Sequence, residues 1–569
     1  MSQTKTLRDR KRQLGQFLTP PETARRLLAD LPFTRDSRVL EPCFGDGSFL
    51  LPLIEKFLPL HDGSLPHRLA QTLTCNVFGM EIDLALHARG LARIRERWGD
   101  LPAGHALACG DFFRADLPGG FDYVVGNPPF GGTLAPDLQD RLDRELGWRN
   151  GLKIKKETYA FFIVKCLDIL QTGGHLRFIC SDTFLTINTM QGLRRFLLES
   201  GRPSVTRLDA FSEETKYAMV VLDLCKSGPA PHVVVDGRPL ARERIARTGN
   251  HSWQVPDDLA RYFDGPKLSD FLIATSGMTV GANHLFVREI TDGCIVEPYE
   301  FEFFENPITL AGEVERARLG SLSPKKRAEI ALRECAGETR RSARVVPRPE
   351  PHTIRLPHPD YRPYNKAQNA LVWAPPSHAI FWKDDGDAVM TFRRNGPWYL
   401  HGVGGRPFFG REGFTWQLIA PTLNARWLPP GCILDSGAPC AFLRDGVPED
   451  ELFFILGWTF SGLCGRLLKD VLNHTRNIQG KDFERLPYPF WVPPRAKRAV
   501  TERVKILVAE AQAGRAFRRG DPEIAEVGAV YEGEAGGRSR PLQPPTLSTA
   551  GGASGSGGCR RRRTRRPRP

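Results

Sequence analysis

The chain has 569 residues, 41% hydrophobic and 25% charged, which supports two or three domains with cores of their own. Lys and Arg number 79 against 65 Asp and Glu, a net charge of +14, and the seven Arg in Arg560–Pro569 supply half of that surplus, leaving a mildly basic body suited to a polyanionic partner. The N-terminus lacks the apolar segment of a secretory signal, no apolar run reaches the roughly 20 residues of a membrane helix, and 12 scattered Cys without a C-x-x-C pair exclude a disulfide scaffold or zinc ribbon, so a reducing cytoplasm is the expected setting.

From about Thr19 to Ser227, short β-branched runs alternate with amphipathic stretches. Strands are expected at Ser37–Leu40, Val77–Met80, His105–Cys109, Tyr123–Val125, His175–Cys180 and Tyr217–Leu224. Helices are expected from Ser48, over Leu84–Trp98 and over Thr158–Leu170. This alternation predicts an α/β, doubly wound, Rossmann-like domain with a parallel sheet, whose ligands bind outside the carboxyl ends of the strands. Beyond about Gly228, Pro and Gly become dense and seven of the ten Trp fall between Trp373 and Trp491, predicting a second, β-rich domain. The expected boundaries are 1–235, 236–495, a helical extension at 496–535, and a disordered basic tail at 536–569.

The first strand runs into Glu41-Pro42-Cys43-Phe44-Gly45-Asp46-Gly47. Small residues at a strand-to-helix turn let a ligand approach the backbone, although this turn departs from the dinucleotide G-x-G-x-x-G. The second strand ends at Glu81-Ile82-Asp83, where a carboxylate can accept from ribose hydroxyls and an apolar neighbour can cover an adenine. The third ends at Gly110-Asp111-Phe112-Phe113, an acceptor for an exocyclic amine beside an aromatic. Asp83 and Asp111 read equally well as helix caps. Together, in order at successive strand ends, these residues form a nucleoside-binding pattern.

The fourth strand, Phe121–Gly126, runs into Asn127-Pro128-Pro129-Phe130. An amine conjugated to an aromatic ring is a poor nucleophile because its lone pair is delocalised. Two acceptors on its hydrogens, the Asn127 side-chain oxygen and the Pro128 carbonyl, pull the nitrogen toward tetrahedral geometry. The prolines fix the backbone directions, and Phe130 stacks on the base. No metal or covalent nucleophile is required.

With these motifs the sequence resembles the gamma-class, S-adenosylmethionine-dependent adenine-N6 DNA methyltransferases of bacterial type II restriction–modification systems. Gly15-Gln16-Phe17-Leu18-Thr19-Pro20 stands where that family has a leader closing over the cofactor, and Thr19-Pro20-Pro21-Glu22 also reads as a helix capping box. The resemblance implies methionine contacts at Thr19, Glu41, Cys43 and Gly45, ribose at Glu81, and cofactor adenine at Ile82, Asp111, Phe112 and Pro129. It implies Asn127, Pro128, Pro129 and Phe130 as catalytic, with Phe211 as a second base-stacking aromatic. The sequence departs from the family in Glu-Pro-Cys-Phe-Gly-Asp-Gly at the first motif and in Phe rather than Tyr at position 130.

A base inside a duplex must be flipped out before it can react, at a cost of a few kcal/mol. The basic Arg149–Lys156 segment reads either as a phosphate clamp or as a solvated loop. The second domain resembles target-recognition domains, opening with Gly277–Asn283 and closing with Asn473–Gln479. Arg393, Arg394, Arg406, Arg411 and Arg426 interleave there with aromatics. The expected partners are double-stranded DNA and a cognate restriction endonuclease, with the chain monomeric and off any membrane.

A cytosine-C5 methyltransferase needs a nucleophilic Cys after Pro; Pro42-Cys43 lies in the cofactor turn, and Pro439-Cys440 has no supporting Glu motif. Enzymes that methylate an RNA base or a protein glutamine share the tetrapeptide but are usually compact. A methyltransferase and specificity part of a restriction enzyme is a further alternative. The one E-x-K near a strand, Glu214-Thr215-Lys216, sits inside the methyltransferase core, so a nuclease centre is not expected.

Overall fold

The computed structural model describes residues 18–130, 134–208, 218–312, 324–391 and 403–532. Phe211, Glu214–Lys216, Arg393, Arg394, the leader up to Phe17 and the basic tail lie outside those residues.

Nine strands form the central sheet: β1 (Val39–Glu41), β2 (Val77–Glu81), β3 (Leu107–Cys109), β4 (Phe121–Gly126), β5 (Leu170–Ser181), β6 (Gly201–Leu208), β7 (Met219–Lys226), β8 (His232–Val235) and β9 (Arg238–Ala241). Their spatial order is β9-β8-β6-β7-β5-β4-β1-β2-β3. From β3 to β5 every pairing is parallel. The strands at the centre are short runs such as Tyr123-Val124-Val125, buried on both faces as parallel strands with helical cover must be. Helices Leu50–Phe57, Leu84–Trp98 and Thr158–Ile169 supply that cover.

The sheet is mixed rather than parallel throughout. β7 runs antiparallel to both β5 and β6, and β8 and β9 add an antiparallel hairpin at the edge. A parallel return needs a crossover of a dozen or more residues, and only 10 residues separate β6 from β7. Strand order reverses between β1 and β4, so the carboxyl ends of these two strands flank the crevice expected of such a sheet.

The sheet itself ends at Ala241. The later chain forms two four-stranded sheets and a long antiparallel ribbon. One sheet has the order Leu272–Thr275, Cys440–Leu443, Gly413–Trp416, Ala425–Leu428. The other has Val287–Glu289, His378–Phe381, Tyr361–Asn365, Ile433–Leu434. The ribbon pairs Cys294–Pro307 with Thr339–Arg355. The first sheet packs into the same apolar core as the central sheet, through Phe414 and Trp416; the second has its own core around Phe286, Tyr364 and Ile380. Helices return from Asp450, and Tyr531 near the end packs on Trp458 of the first of them. Among the described residues no single helix is long and apolar enough to cross a membrane.

Candidate active site

The carboxyl ends of β1, β2, β3 and β4 bring Glu41, Glu81, Asp111 and Asn127 to one edge of the sheet. The turn after β1 is tied to its neighbour by backbone and side chain together. Phe44 N donates to Met80 O at 2.9 Å, and Gly45 N donates to Glu81 Oε2 at 2.8 Å. Gly45 has φ of +57°, a left-handed conformation that a side chain disfavours, and a Cβ there would press on Leu18 of the leader at 3.2 Å.

Glu81 also accepts from Asp83 N through Oε1 at 2.8 Å, so each carboxylate oxygen has one backbone donor and a lone pair to spare. Burial raises its pKa despite those donors. Ile82 is 55% exposed at the strand end, an apolar face open to a ligand. Asp83 caps the helix Leu84–Trp98 through Ala85 N and Leu86 N. Asp111 accepts from Phe113 N at 2.9 Å and meets Arg114 at 3.4 Å. The Phe112 ring is buried and stacked on Phe162, with centroids 4.9 Å apart, and so belongs to the core rather than to an open face.

Glu41 is 2% exposed, and its Oε2 is buried without a hydrogen-bond partner. Loss of water, followed by the nearby Glu81 and Asp46, holds its pKa well above the carboxylate range. Burial likewise pushes the Cys43 thiol well up; its Sγ donates to the Asn127 carbonyl at 3.5 Å.

Gly126, with φ of +152°, turns the chain out of β4 and into Asn127. Asn127 Nδ2 donates to Thr19 Oγ1 at 3.2 Å. Thr19 therefore does not form a capping box. The helix Pro21–Leu28 starts from Pro20 without a side-chain cap, and Glu22 pairs with Arg25. Pro21 at the first helical position leaves one fewer amide to satisfy, which frees the Thr19 hydroxyl for a tertiary partner. Pro128 is buried and Pro129 half-buried; Phe130 is buried in the main core. Phe211 lies outside the described residues.

Several expected DNA contacts are otherwise engaged. In the Arg149–Lys156 segment, Arg149 pairs with Asp168, Lys153 with Asp143, Lys155 with Glu157, and Lys156 with Asp140 and Asp143, so each of these cations has an acidic partner outside the segment. Arg426 is 4% exposed and donates to Asn365 Oδ1 and Lys366 O, which removes it from any groove-reading surface. Arg406 pairs with Asp385, and Arg411 donates to Leu443 O.

A junction that no motif announced lies beside the cleft. Asp182 follows β5, the strand next to β4, and lies four residues past Phe178, the register partner of Gly126. His474 places Nδ1 2.6 Å from Thr186 Oγ1 and Nε2 3.2 Å from Asp182 Oδ2. Asn250 Nδ2 bridges Thr186 O and Leu472 O, and the buried Arg194 donates to the carbonyls of Phe184, Ile187, Asn250 and His251. Without a carboxylate beside it, Arg194 is pushed down to about 9 by burial. The loop after β5 is thus fixed from behind and joined to the later half of the chain.

Residues 102–212, from β3 through β6 and including the tetrapeptide, match the family described as Eco57I restriction-modification methylase. The type II methyltransferase M.PaeR7I of Pseudomonas aeruginosa is 29% identical over 196 residues, 30% of this chain and 32% of that protein. M.XhoI of Xanthomonas vasicola is 29% identical over 276 residues, 45% and 49% of the two chains. M.HincII of Haemophilus influenzae is 26% identical over 212 residues, 37% and 35%. The match thus spans between about a third and a half of the length of these relatives. The chain is similar to methyltransferases of type II restriction–modification systems. The gamma class rests on motif order alone.

Proposed function

We propose that this protein methylates the N6 amine of adenine in duplex DNA, using S-adenosyl-L-methionine, after flipping the base out of the helix. The observation that carries the reading is the Asn127 amide, fixed by Thr19 at the mouth of a crevice whose neighbouring strand ends carry Glu41, Glu81 and Asp111. The relatives' names, all type II methyltransferases, support the class of reaction.

The residues present fit the methyl donor. The buried, unpartnered Oε2 of Glu41 provides a carboxylate for a cationic group, and Glu81 has spare lone pairs for ribose hydroxyls. Ile82 offers an exposed apolar face for an adenine, and Gly45 leaves backbone room under Leu18. Thr19, Cys43, Asp111 and Pro129 complete the proposed cofactor set, with Phe112, whose ring is buried on Phe162, left to contribute through its backbone. When bound, S-adenosyl-L-methionine supplies a methyl group on a sulfonium sulfur.

The chain's own work is to prepare the nucleophile. With its nitrogen engaged by Thr19, Asn127 turns its Oδ1 end toward the substrate amine and accepts one of its hydrogens; the Pro128 carbonyl accepts the other. The paired prolines fix the backbone that carries these acceptors. Phe130 and Phe211 stack on the extruded base. Phe130 is buried at 5% exposure, so its ring must be uncovered as the base enters.

In this reading residues 1–235 hold the reaction, 236–495 read the target sequence, 496–535 are a helical extension, and the basic tail from 536 adds nonspecific affinity. The protein acts as a cytoplasmic monomer that protects host DNA from a cognate endonuclease. Methylation-sensitive sequencing of DNA from cells expressing the chain tests this directly. N6-methyladenine at one recurrent sequence is expected; unmodified DNA, alongside label on ribosomal RNA or protein glutamine in vitro, would move the reading to those substrates.

A further inference from the structure

Resting on the base-flipping reading above, we infer that Ile419 is the wedge that enters the DNA stack where the target base leaves it, with Asn477 and Gln479 beside it to meet the orphaned partner base. Ile419 is 63% exposed, on a bridge that is anything but loose. It pairs antiparallel with Asn477; Ile478 N donates to Leu418 O at 2.7 Å and Ala420 N to Arg476 O at 2.8 Å. In an antiparallel pair the side chains of opposed residues share a face. Ala420 and Ile478 turn into the core, so Ile419 and Asn477 point outward together.

The support under this tip is polar and extensive. Asn473 Oδ1 accepts from Thr475 N and Thr475 Oγ1, while its Nδ2 donates to Asn477 O and Asp482 Oδ2. Lys469 Nζ donates to Thr475 O at 2.6 Å, and Trp416 Nε1 to Ile478 O at 3.1 Å. A single exposed Ile on a protein surface is unremarkable. One held outward by a network of this kind, at a fixed place, has a geometric task.

Placement gives the task. His474, one residue after Asn473, holds the Asp182–Thr186 loop at the carboxyl end of β5, beside the strand that delivers Asn127. The tip is therefore indexed to the cleft through the molecule's own interior. Its chemistry matches a vacated base step better than a phosphate or a protein face. A branched apolar body fills the gap between stacked bases, as Ile and Leu wedges do at kinked steps. The amides of Asn477 and Gln479, which bond to each other at 3.0 Å, present donors and acceptors for an unpaired base edge, and exposed Arg476 lies next to them for the adjoining phosphate.

The test compares Ile419→Ala and Ile419→Leu with wild type on duplexes containing the mapped recognition sequence. One duplex carries a normal A·T pair at the target; the other places the target adenine opposite an abasic site, where flipping needs little help. We expect Ile419→Ala to lose about tenfold or more in single-turnover rate on the paired duplex and to stay within about twofold of wild type on the abasic one, with Ile419→Leu close to wild type on both. An equal loss on both duplexes, or no loss on the paired one, overturns the wedge while leaving the methyltransferase reading intact. Failure of the wild-type protein to label either duplex overturns both.

Discussion

Asn127 Nδ2 donates to Thr19 Oγ1 at 3.2 Å, joining residues 108 positions apart. The bond ties Thr19, next to the first helix, to the side-chain amide of the tetrapeptide after β4. In the proposed reading, the position of Thr19 therefore bears on the orientation of the Asn127 amide.

Replacing Thr19 by Val removes the acceptor while keeping the shape. A neutral hydrogen bond contributes about 0.5–1.5 kcal/mol, so kcat is expected to fall about 2- to 13-fold. Thr19→Ser should remain close to wild type. Steady-state kinetics at saturating methyl donor checks this, and an unchanged kcat in Thr19→Val would remove the bond from the mechanism.

Glu41 gives a pH signature. Its pKa in the folded protein is raised, chiefly by burial, so the native state holds a proton that the unfolded chain has already lost. Stability contributed by this group is present at low pH and is lost as pH rises from the ordinary carboxylate range through the raised value. Glu41→Gln, which never ionises, should therefore melt higher than wild type by a margin that widens with pH. The same variant should bind S-adenosyl-L-methionine more weakly by calorimetry. A margin that narrows with rising pH would contradict the assignment.

Phe130 is buried in the main core, so Phe130→Ala would confound folding with function. Phe130→Leu keeps most of the volume and removes the aromatic face. Base stacking contributes about 1–3 kcal/mol, which predicts a loss of roughly 5- to 150-fold in kcat/KM for DNA. Donor affinity should be unchanged.

How far the sequence disclosed this arrangement depends on which interactions are local. β1, β2 and β4 are legible because strands buried on both faces read as short apolar runs, and Glu41 and Glu81 at their ends follow from the alternation. β3, an edge strand exposed at Ala108 and Cys109, is marked more by the Gly110-Asp111 turn that follows it. The reversal of β7 is not legible, because Met219–Lys226 has the same apolar content in either direction. β6 carries no clear strand signal, since it opens with Gly201 and Pro203, residues depleted in strands. Of the two roles the pattern around Thr19 allows, the local cap is not formed, and the hydroxyl instead meets Asn127, a partner distant in sequence. His474 meets Asp182 only through folding, and nothing in its neighbours signals that.

Arg426 illustrates the opposite error, a charge among aromatics that looks like a reading surface and is buried. Arg426→Ala leaves Asn365 Oδ1 and Lys366 O without their donor. At about 1–3 kcal/mol for each of the two unsatisfied groups, a destabilisation of about 2–6 kcal/mol is expected. The methylated sequence should not change; a shift in specificity with unaltered melting would return Arg426 to the DNA interface.

The central claim is that the Asn127 amide makes an adenine amine reactive, and one measurement addresses it most directly. Purified wild-type protein and Asn127→Ala are incubated with radioactive S-adenosyl-L-methionine and duplex DNA, donor affinity is measured in parallel, and the labelled nucleoside is identified. The account predicts N6-methyladenine from wild type, and from Asn127→Ala a rate reduced at least a thousandfold, on the order of 4 kcal/mol of transition-state stabilisation, with donor binding preserved. Near wild-type transfer by Asn127→Ala would contradict it.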